Sequence, residues 1–173
     1  MAEINLLNVY PSAQRNYDQR AKEKTADVIK VAKEFGQSFF DGPRLYGYGG
    51  YRYDGRWLKV VKRMKKHYQL PDNAAILDVG CAKGFMLYDF LQYMPKCQVK
   101  GIDISSYAID NALPKIKPYL QVASADHLPF EDNSFDLVIS INTIHNLDLV
   151  RCKKALEEIQ KIGRAHVWTP VTL

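Results

Sequence analysis

Residues 75–85, with the sequence AILDVGCAKGF, join a short apolar run to an acidic residue and a turn that carries two glycines. Residues 76–79 show no polar alternation, which predicts a strand that is buried on both faces. Gly80 and Gly84 lack a Cβ atom, so the backbone there can adopt positive φ and admit a ligand close to the main chain. The apolar residues from Phe85 onward predict a helix. This order is typical of a nucleotide-type pocket at the carboxyl edge of a parallel sheet, although such a turn alone is common in α/β proteins.

The next segments continue the alternation of strands and helices. Residues 98–103 predict a second strand that ends in Asp103. A carboxylate about twenty residues after the glycine turn can accept hydrogen bonds from both hydroxyls of a ribose. Residues 119–123 predict a third strand, and residues 133–140 predict a turn and a fourth strand. The whole pattern predicts an α/β fold with right-handed parallel crossovers.

Four stretches together resemble the class I S-adenosylmethionine-dependent methyltransferases, in particular the small-molecule branch that includes the quinone-biosynthesis methyltransferases. They are DVGCAKGF at 78–85, GIDIS at 101–105, ADHLPFEDNSFDLVIS at 125–140 and INTIHNL at 141–147. The resemblance implies a Rossmann-like three-layer αβα sandwich with the strand order 3-2-1-4. The first motif of the family is usually Asp-x-Gly-x-Gly-x-Gly, and here Ala82 stands at the middle glycine. We expect this departure to be tolerated if Ala82 keeps a negative φ.

The resemblance also implies the cofactor S-adenosyl-L-methionine and a role for each site residue. Asp103 would hold the ribose hydroxyls, with Ile104 on the adenine face. Asp126 would accept a hydrogen bond from the exocyclic adenine amine, with His127 or Leu128 beside the base. Four residues of the first motif would line the methionine part, with Asn142 near its amino group: Asp78, Gly80, Cys81 and Ala82. Gly84 would be a further cofactor-binding residue of the same motif. Taken singly, Asp103 could be a charge at a helix N-terminus and Asp126 a plain loop carboxylate.

Nicotinamide-dependent oxidoreductases share this architecture, and their turn has the pattern Gly-x-Gly-x-x-Gly. Residues 80–85 read GCAKGF and lack two of these glycines. Because the sulfonium cofactor carries no phosphate, its turn needs no close seat for a pyrophosphate. The turn therefore favours methyl transfer over hydride transfer.

Methyl transfer is an in-line displacement at a carbon that the sulfonium already activates, so the protein mainly orients the reactants and, for some acceptors, removes a proton. His145 follows the fourth strand at the sheet edge and is the candidate catalytic base. Alternatively, His145 only begins the next helix, and transfer relies on proximity. Cys81, Cys97 and Cys152 have no metal-like spacing, and their odd number argues against a disulfide framework, so no metal is expected.

Residues 1–70 differ in composition from the rest and predict an N-terminal helical cap. Residues 21–40 carry an approximate helical stripe that ends at 41–43. Residues 45–57, LYGYGGYRYDGRW, interleave glycines with aromatic rings, which could close over an acceptor as a lid. The lid residues would be Tyr46, Tyr48, Tyr51 and Tyr53. The alternative is a packed surface loop.

Residues 56–66 form the densest basic run of the chain, with apolar residues at helical spacing. It could track the phosphates of a nucleic acid, or it could be the solvated face of an amphipathic helix. Three functions therefore stay open. They are methyl transfer to a small-molecule acceptor, which the motifs favour, RNA or other nucleic-acid methylation, and a non-catalytic nucleotide-binding module.

The composition agrees with one soluble domain, since the 173 residues are 47% hydrophobic and carry a net charge of +5. No apolar run approaches the length of a membrane span, and the N-terminus lacks a secretory pattern. We expect a cytoplasmic protein with no membrane partner. The oligomeric state and the accepting atom do not follow from these residues.

Residues 71–161 would be the cofactor-binding core, and residues 162–173 would not belong to it. The last stretch, IGRAHVWTPVTL, matches the translation of a common sequencing-library adapter, except that Trp168 stands at the adapter's stop codon. We expect a non-native tail after a C-terminally truncated core. The final strands of the fold would then be missing, and the fourth strand would be an exposed apolar edge.

Overall fold

The computed structural model describes residues 5–11 and 23–168, in which helices flank a sheet of five strands. The strands are β1 (Ala75–Val79), β2 (Gln98–Asp103), β3 (Leu120–Val122), β4 (Leu137–Ser140) and β5 (His166–Trp168). The helices are α1 (Ala26–Lys33), α2 (Gln37–Phe40), α3 (Leu58–Tyr68), α4 (Phe85–Tyr93), α5 (Ser106–Asp110) and α6 (Leu149–Ile162). Short 3₁₀ helices at Lys117–Tyr119 and Ile144–Asn146 precede β3 and α6. No helix within these ranges is long and apolar enough to cross a bilayer.

The sheet is parallel throughout, with the order β3-β2-β1-β4-β5. The predicted order 3-2-1-4 is confirmed. Asp78 in the central strand β1 is in register with Gly101 of β2 and with Ile139 of β4. The chain runs outward from β1 to β2 and β3, and it then crosses to β4 on the other side of β1. A crevice therefore opens between β1 and β4 at their carboxyl ends.

The expectation that β4 is an exposed edge is wrong. β5 pairs with β4 in parallel, with Val138 opposite His166 and Ile139 opposite Val167. The Val138 amide donates a hydrogen bond of 2.8 Å to the carbonyl of Ala165, and Val167 is only 8% exposed. The segment shows no apolar period, but backbone pairing needs none, and the buried strand β4 offers an open row of donors and acceptors. Residues 169–173 lie outside the described residues, and the adapter origin stays a prediction.

Helices cover both faces of the sheet, which confirms the three-layer sandwich. On one face, α3 and α4 contribute the fully buried side chains of Val60, Met64 and Phe90 to one hydrophobic cluster. On the other face, α6 contributes Ala155 and Ile159 to a second cluster. Helix α3 lies before the predicted boundary at residue 70, yet it packs on the same sheet face as α4.

The helix predicted over residues 21–40 is interrupted in its described part. Helix α1 ends at Lys33, and Phe35 adopts a φ of +48°. Gly36 is then the N-cap residue of α2. The carbonyl of Phe35 accepts a hydrogen bond from the hydroxyl of Ser105, which also caps α5. A contact to a distant segment therefore stabilises the break, and local periodicity could not reveal it.

Candidate functional site

The glycine turn after β1 closes tightly against the loop that follows β4. Gly80 has a φ of +85°, and a Cβ atom at this position would overlap the side chain of Thr143. The amides of Gly80 and Cys81 both donate to the carbonyl of Ile102, at 2.8 and 2.9 Å. Only glycine fits this point, because a side chain would be strained and would also fill the space between the two loops.

Ala82 does not keep the negative φ that we expected, since its φ is +51°. Its amide donates a 2.7 Å hydrogen bond to Oδ2 of Asp103, which holds the peptide in this orientation. The left-handed conformation costs a non-glycine residue about 1–2 kcal/mol. Glycine would therefore be the less strained residue at this position, as in the usual family motif.

Asp103 ends β2 and faces the turn. Besides the Ala82 amide, it accepts a 2.9 Å hydrogen bond from the amide of Ser105 at Oδ1. Burial raises the pKa of Asp103, and the hydrogen bonds from Ser105, Ala82 and Ile104 partly oppose this shift. The structure thus fixes this carboxyl group at the sheet edge by backbone amides on two sides.

A cavity of about 360 Å³, which we call the first cavity, opens at the carboxyl edge of the sheet. It contains five of the predicted cofactor residues, namely Gly80, Ala82, Asp103, Ile104 and Asn142. Opposite them, the aromatic rings of Phe39, Phe40 and Tyr48 form part of the wall. The N-terminal segment therefore covers the cavity that the core motifs build.

A second cavity of about 300 Å³ lies on the other side of the glycine turn. Gly80, Ala82 and Asn142 line it together with Asp78 and Cys81, so the two cavities meet at the turn. Its remaining wall is aromatic and apolar: Leu7, Tyr10, Tyr48, Tyr51, Trp57, Met86 and Ile141. Gly84 lines neither cavity and adopts a φ of +72° at the start of α4.

The charged groups at this junction are strongly perturbed. Burial and, as the smaller effect, the negative charge of Asp103 together raise the pKa of Asp78 to about 8. Burial also raises the pKa of Tyr48 to about 12, with added effects of Tyr10, Asp103 and Asp78. Because a neighbouring positive charge favours the ionised form of a carboxyl group, Asp78 and Asp103 at this junction suit a cationic ligand.

Asp126 lies outside the lining of both cavities. It forms an ion pair with Arg151, whose Nε donates to Oδ2 at 2.7 Å, and it accepts a hydrogen bond from the Ser124 hydroxyl. The hydrogen bonds from Arg151 and Ser124 hold the pKa of Asp126 well below its ordinary value. Arg151 and Ser124, which the sequence analysis missed, line the first cavity in its place.

The histidines singled out in the sequence are not in the cavities. His127 is exposed, and the neighbouring Leu128 is buried in the core under α6. His145 is exposed on the 3₁₀ helix before α6 and lines neither cavity. The structure thus does not bring an imidazole to the junction of the two cavities.

The predicted lid residues take different positions. Tyr48 lines both cavities, and Tyr51 lines the second. Tyr53 instead donates a 2.6 Å hydrogen bond to Asp89 on α4, and Tyr46 lines neither cavity. Two of the four tyrosines are therefore near the site, and one of the others anchors the loop to the core.

Comparison with known proteins identifies the family. The family described as "Methyltransferase domain" matches residues 77–166, which is more than half of the chain. The chain belongs to this family, and with the fold described above it is a class I S-adenosylmethionine-dependent methyltransferase domain.

Two curated relatives illustrate the range of acceptors among similar proteins. The chain is 35% identical over 119 residues to the tRNA (carboxymethyluridine(34)-5-O)-methyltransferase of Arabidopsis thaliana, covering 68% of this chain and 28% of the relative. It is 31% identical over 138 residues to the malonyl-[acyl-carrier protein] O-methyltransferase of Legionella pneumophila, covering 75% of this chain and 40% of the relative. The chain thus spans less than half the length of these relatives.

Solved structures agree in fold. A putative methyltransferase from an antibiotic biosynthesis pathway of Anabaena variabilis superposes with a TM-score of 0.55 at 23% identity, covering 67% of this chain and 47% of that one. PKMT2 of Rickettsia typhi in complex with AdoHcy, the demethylated cofactor, gives a TM-score of 0.50 at 25% identity, covering 57% and 22%. The family and this complex support S-adenosylmethionine as the cofactor.

The residues at the junction fit that cofactor. S-adenosylmethionine carries a ribose, whose hydroxyls suit the carboxyl group of Asp103 in the first cavity, and a cationic methionine part, which suits Asp78 at the turn. Gly80 lines both cavities, and Thr143 occupies the space that a Cβ at this position would need. A cavity of about 360 Å³ is within the usual size range of small-ligand sites.

Proposed function

We propose that this domain transfers a methyl group from S-adenosylmethionine to a small organic acceptor bound in the second cavity. The observation that carries the proposal is the shared wall of the two cavities. Gly80, Ala82 and Asn142 line both, so ligands in the two cavities would meet at the glycine turn. The aromatic wall of Tyr10, Tyr51 and Trp57 favours a flat acceptor over a strongly polar one.

When bound, the cofactor supplies a methyl group that its sulfonium makes electrophilic. The chain's own residues bind and orient the reactants and exclude water. Asp103 would hold the ribose hydroxyls, and Asn142 would lie near the amino group of the methionine part. Asp126 would reach the adenine only if its contact with Arg151 rearranged, whereas Arg151 already lines that cavity.

Proximity and orientation would account for most of the rate, since well-placed reactants gain about 7–11 kcal/mol from positioning alone. His145 remains the candidate base for an acceptor that must lose a proton. Because His145 is exposed and lines neither cavity, such an acceptor would have to extend out of the second cavity to reach it.

Titration calorimetry with S-adenosylhomocysteine tests the cofactor site. We expect Asp103→Ala to weaken binding by about tenfold or more, because a charged hydrogen-bond acceptor contributes about 1.5–3 kcal/mol. Asp110→Ala is the matched control, since Asp110 pairs with Lys117 on the surface with its side chain 70% exposed. Equal affinities of wild type and Asp103→Ala would remove the ribose assignment, and no affinity in the folded wild type would refute the proposed function.

A second candidate function is methylation of tRNA, which the Arabidopsis relative supports by its name. Helix α3 adds basic residues near the second cavity, since Trp57 precedes it and lines that cavity. Some of these residues already have local partners, because Lys65 pairs with Asp72 and Arg63 donates to Asn8. Binding of a tRNA that weakens steeply between about 50 and 200 mM salt would favour this candidate. Cofactor binding without transfer to any acceptor would favour a non-catalytic module.

A further inference from the structure

The glycine turn carries a buried cation that the cofactor motifs do not explain. Lys83 stands two residues after Cys81 and is 6% exposed. Its Nζ donates to both carboxylate oxygens of Asp41, at 2.8 and 2.7 Å, and to the carbonyl oxygen of Tyr51 at 3.1 Å. All three acceptors belong to the N-terminal segment that covers the site. The turn therefore holds that segment through one side chain.

Asp41 gathers further donors around the same point. Its Oδ1 accepts a hydrogen bond of 3.2 Å from the amide of Tyr51, and its Oδ2 accepts one of 2.7 Å from the hydroxyl of Tyr107 on α5. Burial would raise the pKa of Asp41, but the hydrogen bonds from Lys83, Tyr107 and the Tyr51 amide lower it below its ordinary value. Asp41 is thus ionised at neutral pH and pairs with the lysine as a charge.

The consequence for Tyr51 is that its backbone is held from two sides. The amide binds Asp41 and the carbonyl binds Lys83, so the peptide groups around this residue cannot turn freely. The ring of Tyr51 stacks on Phe85 at a centroid distance of 4.7 Å and contacts the ring of Tyr48 at 4.3 Å. Since Tyr51 lines the second cavity and Tyr48 lines both, the position of these two rings affects the shape of the second cavity.

We propose that Lys83 is a positioning residue, which with Asp41 ties residues 48–51 to the cofactor turn and thereby sets the shape of the acceptor cavity. The role as an acceptor cavity rests on the proposed function, whereas the tie itself does not. Lys83 lines neither cavity, so its effect is exerted through Tyr51 and Tyr48. This separates it from the residues that would touch the cofactor.

Hydrogen–deuterium exchange of peptides covering residues 47–55 tests the tie. We expect exchange there to accelerate at least tenfold in Lys83→Met and in Asp41→Asn, while β1 keeps its protection. The double variant should exchange no faster than the faster single variant, because both changes remove one shared contact. Lys117→Met is the matched control, since its partner Asp110 is on the surface and its own side chain is 47% exposed.

If Lys83→Met fails to fold, Asp41→Asn carries the test, because it keeps the lysine and nearly the same side-chain shape. If residues 47–55 of the folded variants exchange at the wild-type rate, the proposal is wrong. Calorimetry with S-adenosylhomocysteine separates it from the proposed function. Faster exchange in the variants of a protein that does not bind this ligand would support the tie and refute the proposed function. Wild-type exchange in the variants of a protein that binds the ligand would refute only the tie.

Discussion

At the residue scale, the site depends on two neighbouring positions with left-handed backbone. Gly80 meets this requirement without strain, and its lack of a side chain lets Thr143 approach. Ala82 has the same sign of φ and is held by Asp103. The motif therefore tolerates alanine at position 82, where a hydrogen bond compensates for the strain. It does not tolerate a side chain at position 80, where the two loops touch.

Gly80→Ala should abolish measurable binding of S-adenosylhomocysteine and destabilise the fold by about 1–3 kcal/mol, because the new methyl group overlaps Thr143 and the φ is positive. Gly36→Ala is the control, since a Cβ there has no neighbour within 4 Å and its φ is negative. Urea unfolding and calorimetry measure both effects. A Gly80→Ala protein that binds as tightly as Gly36→Ala would contradict this account of the turn.

At the element scale, the loop of residues 45–57 is joined to α4 through one buried carboxyl group. Asp89 on α4 is 1% exposed and accepts the hydroxyl of Tyr53 at 2.6 Å. Burial raises the pKa of Asp89, while the hydrogen bond from Tyr53 and the amides of Trp57 and Leu58 at the start of α3 oppose the shift. Tyr53 thus anchors the loop to α4.

Tyr53→Phe should lower the free energy of unfolding by about 1–3 kcal/mol, because a buried carboxyl group loses a donor. Equilibrium unfolding in urea, with an unchanged slope, measures the loss. Tyr119→Phe, on a ring that is 41% exposed, should change stability by less than about 0.5 kcal/mol. If the two variants were equally stable, the hydrogen bond to Asp89 would not contribute.

At the scale of the whole molecule, the topology gathers acidic groups at one sheet edge. The ends of β1 and β2 bring Asp78 and Asp103 to the same crevice, and the N-terminal segment keeps water away from them. Without ligand, the folded domain therefore disfavours a negative charge on Asp78, which is 4% exposed. Its stability should depend on pH for this reason.

The apo protein should lose stability between about pH 4 and pH 8, because the folded state keeps a proton on Asp78 that the unfolded chain has released. The loss is at most about 1.4 kcal/mol per pH unit. Asp78→Asn carries no such proton, so its stability relative to wild type should rise with pH. Urea unfolding at several pH values measures this, with Asp110→Asn as the control. Parallel curves for wild type and Asp78→Asn would show that the Asp78 pKa is not raised.

Much of the fold follows from local patterns. β2 was predicted with its observed bounds and β4 at its observed position. β4 is buried along its whole length, and strands of this kind are apolar in sequence. The helix over 21–40 and the unpaired edge of β4 were wrong. In both cases, hydrogen bonds to a distant segment determined the structure.

The sequence by itself determined the class of protein, since the glycine turn, the acidic strand end and the spacing between them depend only on residues that are close in the chain. Only the tertiary structure decided the contacts between residues far apart in the chain. Lys83 meets Asp41 across 42 residues, and Arg151 meets Asp126 across 25. Many distant partners are compatible with one lysine or arginine, and packing of the whole chain selects among them. The glycine turn at the sheet edge was therefore visible in the sequence, whereas the contacts that hold the N-terminal segment over it were not.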